Sequence, residues 1–261
     1  GKSSGDDVIL SASGSLSNQG SLVANDGLQA NAANLSNTGT GSGKDINFTA
    51  TGTLINASAL VAKNQLQVGS ASLNNSGTLT APQLSLSSDS LINSGLIQGT
   101  QNLALRSQDL TNQRSGSIAT AGDLTLTLPD FSNSGLLSTG GALQLSGGSL
   151  TNDGEINALS LQSDNGRLTN LAGGKLLATG ALQLANDQFN NSGLVAAKGL
   201  GLNAATLDNA GRVQGSDSLT LQAGTFTNRQ GGELLTTGQL TLNSGDLTHA
   251  GLIQADKLAL T

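Results

Sequence analysis

Apolar and polar residues alternate along almost the whole chain, in short runs such as "ALQLS" at Ala142–Ser146 and "SLTLQ" at Ser218–Gln222. The period is two, so successive side chains point to opposite faces, the signature of a strand with one buried side. Glycine, asparagine, serine and threonine separate the runs and supply turn chemistry. No stretch sustains a 3.6-residue apolar stripe for ten residues. The pattern predicts many short strands and no helix.

Aligning the chain on [LF]-x-N-x-G-x-[LIV] gives thirteen unit starts: Leu16, Leu35, Leu54, Leu73, Leu91, Leu110, Phe131, Leu150, Leu168, Phe189, Leu207, Phe226 and Leu247. The starts are 18 to 21 residues apart with no linker between units. Three 21-residue units, starting at 110, 168 and 226, carry their extra residues at one place, seen in "LTNQRSGSI", "LTNLAGGKL" and "FTNRQGGEL". They impose a longer period of 58 residues. A unit this short cannot close its own sheet and must stack on copies of itself.

Stacking in register produces columns. The unit-start Leu/Phe positions form one, and Leu22, Leu60, Leu79, Ile97, Leu137 and Val195 belong to a second. The L-x-L pairs, such as Leu103 with Leu105 and Leu219 with Leu221, form two more, and small residues such as Ala24, Ala62 and Ala158 form a fifth. Four large columns and one small column describe a narrow tapered core. The expected fold is all-β: a right-handed parallel β-helix (β-solenoid) of about 13 coils with roughly 19 residues per coil. The opening "GKSSG" reads as a cloning remnant and the closing "KLALT" stops in mid-pattern. Residues 1–15 are therefore expected to be that remnant plus a partial N-terminal coil. Residues 16–261 are expected to be one β-helix domain, an internal fragment of a longer protein.

Composition narrows the function. Cysteine, methionine, tryptophan and tyrosine are absent and four phenylalanines are the only aromatics, unlike an ordinary globular core. The net charge is -6, with 17 acidic and 11 basic side chains, and the basic residues are scattered singly. No phosphate-binding face is expected, hence no nucleic-acid partner. Without cysteine there is neither a disulfide framework nor a thiolate metal site. No apolar run approaches the roughly 20 residues of a membrane span.

The recurrent polar signal is asparagine at the third place of the unit: Asn18, Asn37, Asn56, Asn75, Asn93, Asn112, Asn133, Asn152, Asn170, Asn191, Asn209 and Asn228. One amide per coil predicts a structural ladder in which each donates to the next and to turn carbonyls. A sugar- or ion-binding row is the competing reading, but a site is a local exception and this residue recurs in nearly every unit. His249 stands where the last unit expects asparagine, so the ladder should end or change there.

Other candidates are weaker. "TGTGSGKD" at Thr38–Asp45 imitates a phosphate loop but lacks the first glycine and the final Ser or Thr, and no helix pattern follows. Calcium-binding G-G-x-G-x-D repeats are missing. Asp109 and Asp130 are the like-charged neighbours in the column preceding the unit start, and a solvated edge accounts for them. Sequons at Asn47 and Asn56 are noted, although Asn56 is also a ladder position. Leu96, Leu136, Leu194 and Leu252 occupy one outward column and read as ordinary surface leucines, with a side-to-side contact surface as the competing reading. In that column Glu155 with Lys175, and Arg212 with Glu233, should pair across adjacent strands. No catalytic, cofactor-binding or metal-binding residue is assigned.

The repeated L-x-N-x-G-x-[LI] and L-x-L units, for instance "LINSGLIQGTQNLALRSQD" at 91–109, resemble those of the filamentous haemagglutinin family. Two-partner-secretion adhesins and contact-dependent growth inhibition exoproteins of Gram-negative bacteria belong to it. The resemblance implies a secreted, cell-surface filament shaft with no enzymatic activity and no cofactor. The shaft would be exported through an outer-membrane transporter and would hold a distal receptor-binding or toxin region away from the cell. The target-cell receptor would be met by regions outside this chain. The shaft is expected to be a monomeric rod rising about 4.8 Å per coil, roughly 60 Å in all. The alternative is a glycan-binding or polysaccharide-degrading β-helix, or a direct adhesin surface. Such an enzyme should carry long insertions over a cleft, whereas the largest insertion here is two residues.

Overall fold

The computed structural model describes all 261 residues, and every regular element is a β-strand. No helix is long and apolar enough to cross a membrane. The chain forms two compact units, Gly1–Leu124 and Thr125–Thr261, and each is a parallel β-solenoid.

In the first unit one turn consists of the strands Ser15–Asn18, Ser21–Ala24 and Gly27–Ala32, separated by short corners. These define three faces. The strand Asn34–Asn37 then returns beside Ser15–Asn18 with Leu16 against Leu35 and Asn18 against Asn37. Further along, the corners straighten enough for a single strand, Ala59–Asn75, to supply the second and third faces of one turn and the first face of the next. Lys2–Gly5 pairs with Ser21–Ala24, and Val8–Ser11 aligns with Leu28 to Asn31. An additional turn thus precedes the first pattern match, and the solenoid turns number about 14.

The expected columns are present. On the first face Leu54 pairs with Leu73 and Leu73 with Leu91 in the first unit. In the second unit Leu168 pairs with Phe189, Phe189 with Leu207 and Leu207 with Phe226. The L-x-L columns continue as Leu84 with Leu103 and Leu86 with Leu105 in the first unit, and Leu200 with Leu219 and Leu202 with Leu221 in the second. These side chains are nearly all buried, which ties the alternation of the sequence to removal of apolar surface from water.

Three features depart from the simple column picture. Gly41 occupies the second-face position between Leu22 and Leu60, where an added Cβ would lie 2.6 Å from Leu60 Cδ2. Leu28 Cδ2 would lie 3.3 Å away, and Phe48, fully buried on the third face, at 3.8 Å, so Leu60 and Leu28 close over the glycine. A further inward column runs two residues beyond the L-x-L pair: Ala32 against Ala50 and Ser70 against Ser88 in the first unit, then Asn165, Asn186, Ala204 and Ala223 in the second. The two-residue insertions are tight turns at the corner after the first face. Gly116 N–H donates to the Gln113 carbonyl at 2.7 Å, Gly174 to Leu171 at 2.8 Å and Gly232 to Arg229 at 2.9 Å.

Glycine at the fifth place of the unit has a direct cause. A Cβ on Gly39 would sit 2.0 Å from the Gly20 carbonyl oxygen, and one on Gly211 would sit 2.2 Å from that of Gly193. At this corner successive turns approach backbone to backbone.

Candidate functional site: the asparagine spine

Each ladder asparagine lies two residues after the unit-start Leu or Phe, at the end of a first-face strand, so its side chain points inward on the same side. The corner that follows brings backbone carbonyls close by, such as Gly154 O, which accepts one hydrogen bond from the Lys175 N–H of the next turn and has a lone pair left for a second. A short amide at this place can reach both those carbonyls and the next turn.

In the first unit the Nδ2 of Asn18, Asn37, Asn56, Asn75 and Asn93 each donates to the Oδ1 of the next asparagine at 2.7 to 2.9 Å, ending on Asn112. In the second unit Asn133, Asn152, Asn170, Asn191 and Asn209 do the same at 2.8 Å, ending on Asn228. Further Nδ2 contacts reach corner carbonyls: Asn152, for example, lies 3.1 Å from Gly154 O and 3.2 Å from Lys175 O. Apart from Asn18 at 6 % exposure, the twelve side chains are at most 1 % exposed. Buried amides of this kind are tolerable only because their hydrogen-bonding groups are matched. Every rung donates in the same direction, from the earlier turn to the later one.

His249 lies within 3.2 Å of Asn228, through Nδ1. Since Asn228 Nδ2 can only donate, Nδ1 accepts and the ring proton sits on Nε2.

The other candidates disperse. Thr40–Ala50 is a strand in which Gly41 and Gly43 face inward and Lys44 is exposed, so the loop-like sequence forms no anion cradle. Asp109 and Asp130 are both exposed. Asn47 is half-buried and accepts from Thr49 Oγ1 at 3.2 Å, while Asn56 is fully buried. Nowhere do three metal-ligating side chains of His, Asp or Glu gather. The two vertical ion pairs form as the register requires: Lys175 faces Glu155 at 3.5 Å and Arg212 faces Glu233 at 3.0 Å. Arg229 donates to Asp208, and this hydrogen bond together with the carboxylate charge raises the guanidinium above its ordinary value.

One polar cluster escaped the sequence reading. Within the second unit's core Asn165 Nδ2 donates to Ser163 Oγ at 2.8 Å and Asn186 Nδ2 donates to the Asn165 carbonyl at 2.9 Å. The Asn186 Oδ1 is buried without a protein partner. The signal was present in "SLQSDN", where Ser163 interrupts the L-x-L column between Leu145 and Leu184.

Five overlapping stretches, residues 2–58, 40–127, 110–177, 157–200 and 178–261, match the haemagglutinin repeat family model. The chain belongs to the haemagglutinin repeat family. Its relatives include the 16S rRNA endonuclease CdiA of Enterobacter cloacae, 36% identical over 187 residues, 67% of this chain and 6% of the relative. A Toxin CdiA of Escherichia coli is also 36% identical over 187 residues, 68% of this chain and 6% of that protein. The Deoxyribonuclease CdiA of Dickeya dadantii is 36% identical over 179 residues, 67% of this chain and 5% of its own length. The haemagglutinin repeat chain thus spans about one-twentieth of the curated relatives it matches. No solved structure matches it.

Proposed function

We propose that this haemagglutinin repeat array is a segment of the filament shaft of a large secreted exoprotein on a Gram-negative cell surface, in the contact-dependent growth inhibition class. The carrying observation is uniformity: turn after turn repeats one buried spine and one set of columns, which serves stacking and singles out no turn for chemistry. The activities named for the relatives, three different nucleic-acid or toxin functions on similar repeats, support a shaft that is indifferent to its cargo. The shaft passes through an outer-membrane two-partner-secretion transporter and carries distal receptor-binding and toxic regions. The asparagine spine is structural, not a ligand row. The glycan-binding alternative lacks an aromatic platform, since all four phenylalanines are buried, and the groove of about 400 Å³ over Gly199 and Gly201 is lined by small, amide and hydroxyl side chains with Leu200 and Leu202.

Deleting Leu168 to Thr225 from the full-length protein tests this. The cut removes three whole repeats and joins Arg167 to Phe226, so the spine continues from Asn152 to Asn228 and the L-x-L columns stay in register. Surface display should survive, with activity changed only through a reach shortened by about 14 Å, three rises of roughly 4.8 Å. Abolished activity on a normally displayed, folded protein would end the shaft reading.

A further inference from the structure

On the second face of the second unit one outward column reads Leu136, Glu155, Lys175, Leu194, Arg212, Glu233 and Leu252, each directly beside the next. Leu136 is 36% and Leu252 46% exposed, and Leu194 is half-buried. The two internal ion pairs keep their charged heads in solvent, with side-chain exposures from 35% to 52%. The column is therefore an accessible stripe of leucine, charge, opposite charge, leucine, written twice with Leu194 shared.

We propose that this stripe is a lateral contact surface for a second copy of the same chain, docked antiparallel about a two-fold axis that runs along the strands midway between Arg212 and Glu233. The pattern itself selects the partner. Reversed on itself, Leu194–Arg212–Glu233–Leu252 places Leu194 against Leu252 of the other copy, Arg212 against its Glu233, and the reciprocal pairs as well. Four charged heads then form a ring of alternating sign, closed at both ends by leucine contacts. An isologous contact of this kind is self-complementary by symmetry. Leu136–Glu155–Lys175–Leu194 is self-complementary in the same way about an axis midway between Glu155 and Lys175, whereas centring the axis on Leu194 sets Arg212 against Lys175 and Glu233 against Glu155, and parallel docking in zero register sets every charge on its own kind. Like charges in opposition are strongly disfavoured, so the stripe attracts in registers that oppose unlike charges and rejects those that do not. The contact covers about four strands, roughly 19 Å at about 4.8 Å each. It falls well short of the about 1,200 Å² of a standard interface, so pairing is weak and reversible.

The chain has no cysteine, which makes the register directly readable by disulfide trapping. Leu194→Cys and Leu252→Cys chains, mixed at high concentration under mild oxidation, should cross-link to each other about tenfold faster than either does to itself, because like-charge registers are excluded. Adding Arg212→Glu to both chains should remove that excess. Adding Glu233→Arg as well restores an alternating ring under the two-fold arrangement and should restore cross-linking. A parallel arrangement staggered by three turns would instead be broken by the double exchange, which sets Glu155 against the new glutamate. Variants are compared at equal strand content by circular dichroism. Absence of the 194–252 cross-link, or failure of the double exchange to restore it, overturns the proposal.

Discussion

Replacing Asn170 by alanine tests how much the spine contributes. Asn170 accepts from Asn152 Nδ2 at 2.8 Å and donates to Asn191 Oδ1 at 2.8 Å, with Leu194 O at 3.2 Å and Gly174 O at 3.3 Å also within reach. The variant loses about three buried hydrogen bonds, each worth roughly 1 kcal/mol, and leaves acceptors and part of a donor unmatched at about 1 to 3 kcal/mol. Some of the damage is absorbed: Asn152 keeps Gly154 O and Lys175 O, and Asn191 Oδ1 keeps the Gly193 N–H at 3.3 Å. The expected loss is roughly 3 to 5 kcal/mol. Asn18→Ala is the control. That residue receives no amide from an earlier rung; its Oδ1 accepts from the Gly20 N–H at 3.1 Å and its Nδ2 donates to Asn37 Oδ1 and Thr40 O, but at the solvent-reachable first rung these partners can turn to water, so about 1 to 2 kcal/mol should be lost. Urea unfolding followed by far-ultraviolet circular dichroism suits a chain without tryptophan or tyrosine. With a slope near 2 kcal/mol per molar, Asn170→Ala should lower the second unit's midpoint by about 1.5 to 2.5 M. Asn170→Asp should cost more than alanine at neutral pH, because a buried carboxylate would face three acceptors. Equal effects at Asn18 and Asn170, within about 0.5 kcal/mol, would show that the spine adds nothing beyond filling space.

His249→Asn should be neutral or stabilising by up to about 1 kcal/mol, since an amide offers Asn228 a better acceptor, and a clear fall in melting temperature would refute this. Asn186→Ala should be neutral to stabilising by about 1 kcal/mol, because losing the unpartnered Oδ1 outweighs losing one hydrogen bond, as thermal melting would show. Gly147→Ala should destabilise by more than about 2 kcal/mol, since φ is 144° and a Cβ would lie 1.7 Å from the Leu128 carbonyl oxygen. Gly41→Ala should cost about 1 to 3 kcal/mol by overpacking against Leu60, as a chemical denaturation series would show.

Much of this architecture was legible because a repeat states its own register. Leu73 over Leu91 and Lys175 beside Glu155 follow from counting alone, since any slip of one residue would turn each buried side chain to solvent. What escaped was local compensation. Gly41 stands in the apolar second column because Leu60 and Leu28 close over it, a relation between residues that alternation does not encode. Asn165 and Asn186 face inward because the corner between the third and first faces is drawn straight in these turns, so strand alternation continues through a stretch rich in turn-forming residues. The asparagine positions and the common direction of their one-to-the-next donation were plain from the sequence, whereas the corner carbonyls each amide also reaches, such as Gly154 O and Lys175 O for Asn152, are set by the corner geometry.

That common direction makes the molecule a template with a leading edge. Once the turn containing Asn18 is laid down, it offers an amide donor for the oxygen of Asn37 and, on its backbone, the Asn18 carbonyl that accepts from Thr38 and Gly39. The arriving turn satisfies these and presents the same pair of groups to its successor, through Asn37 Nδ2 and the carbonyl that receives Ala57. Each closed turn therefore regenerates the surface on which the next is copied. Within each unit, wherever a first turn forms, its neighbours find the same pair of groups waiting, so the array extends by nearest-neighbour steps.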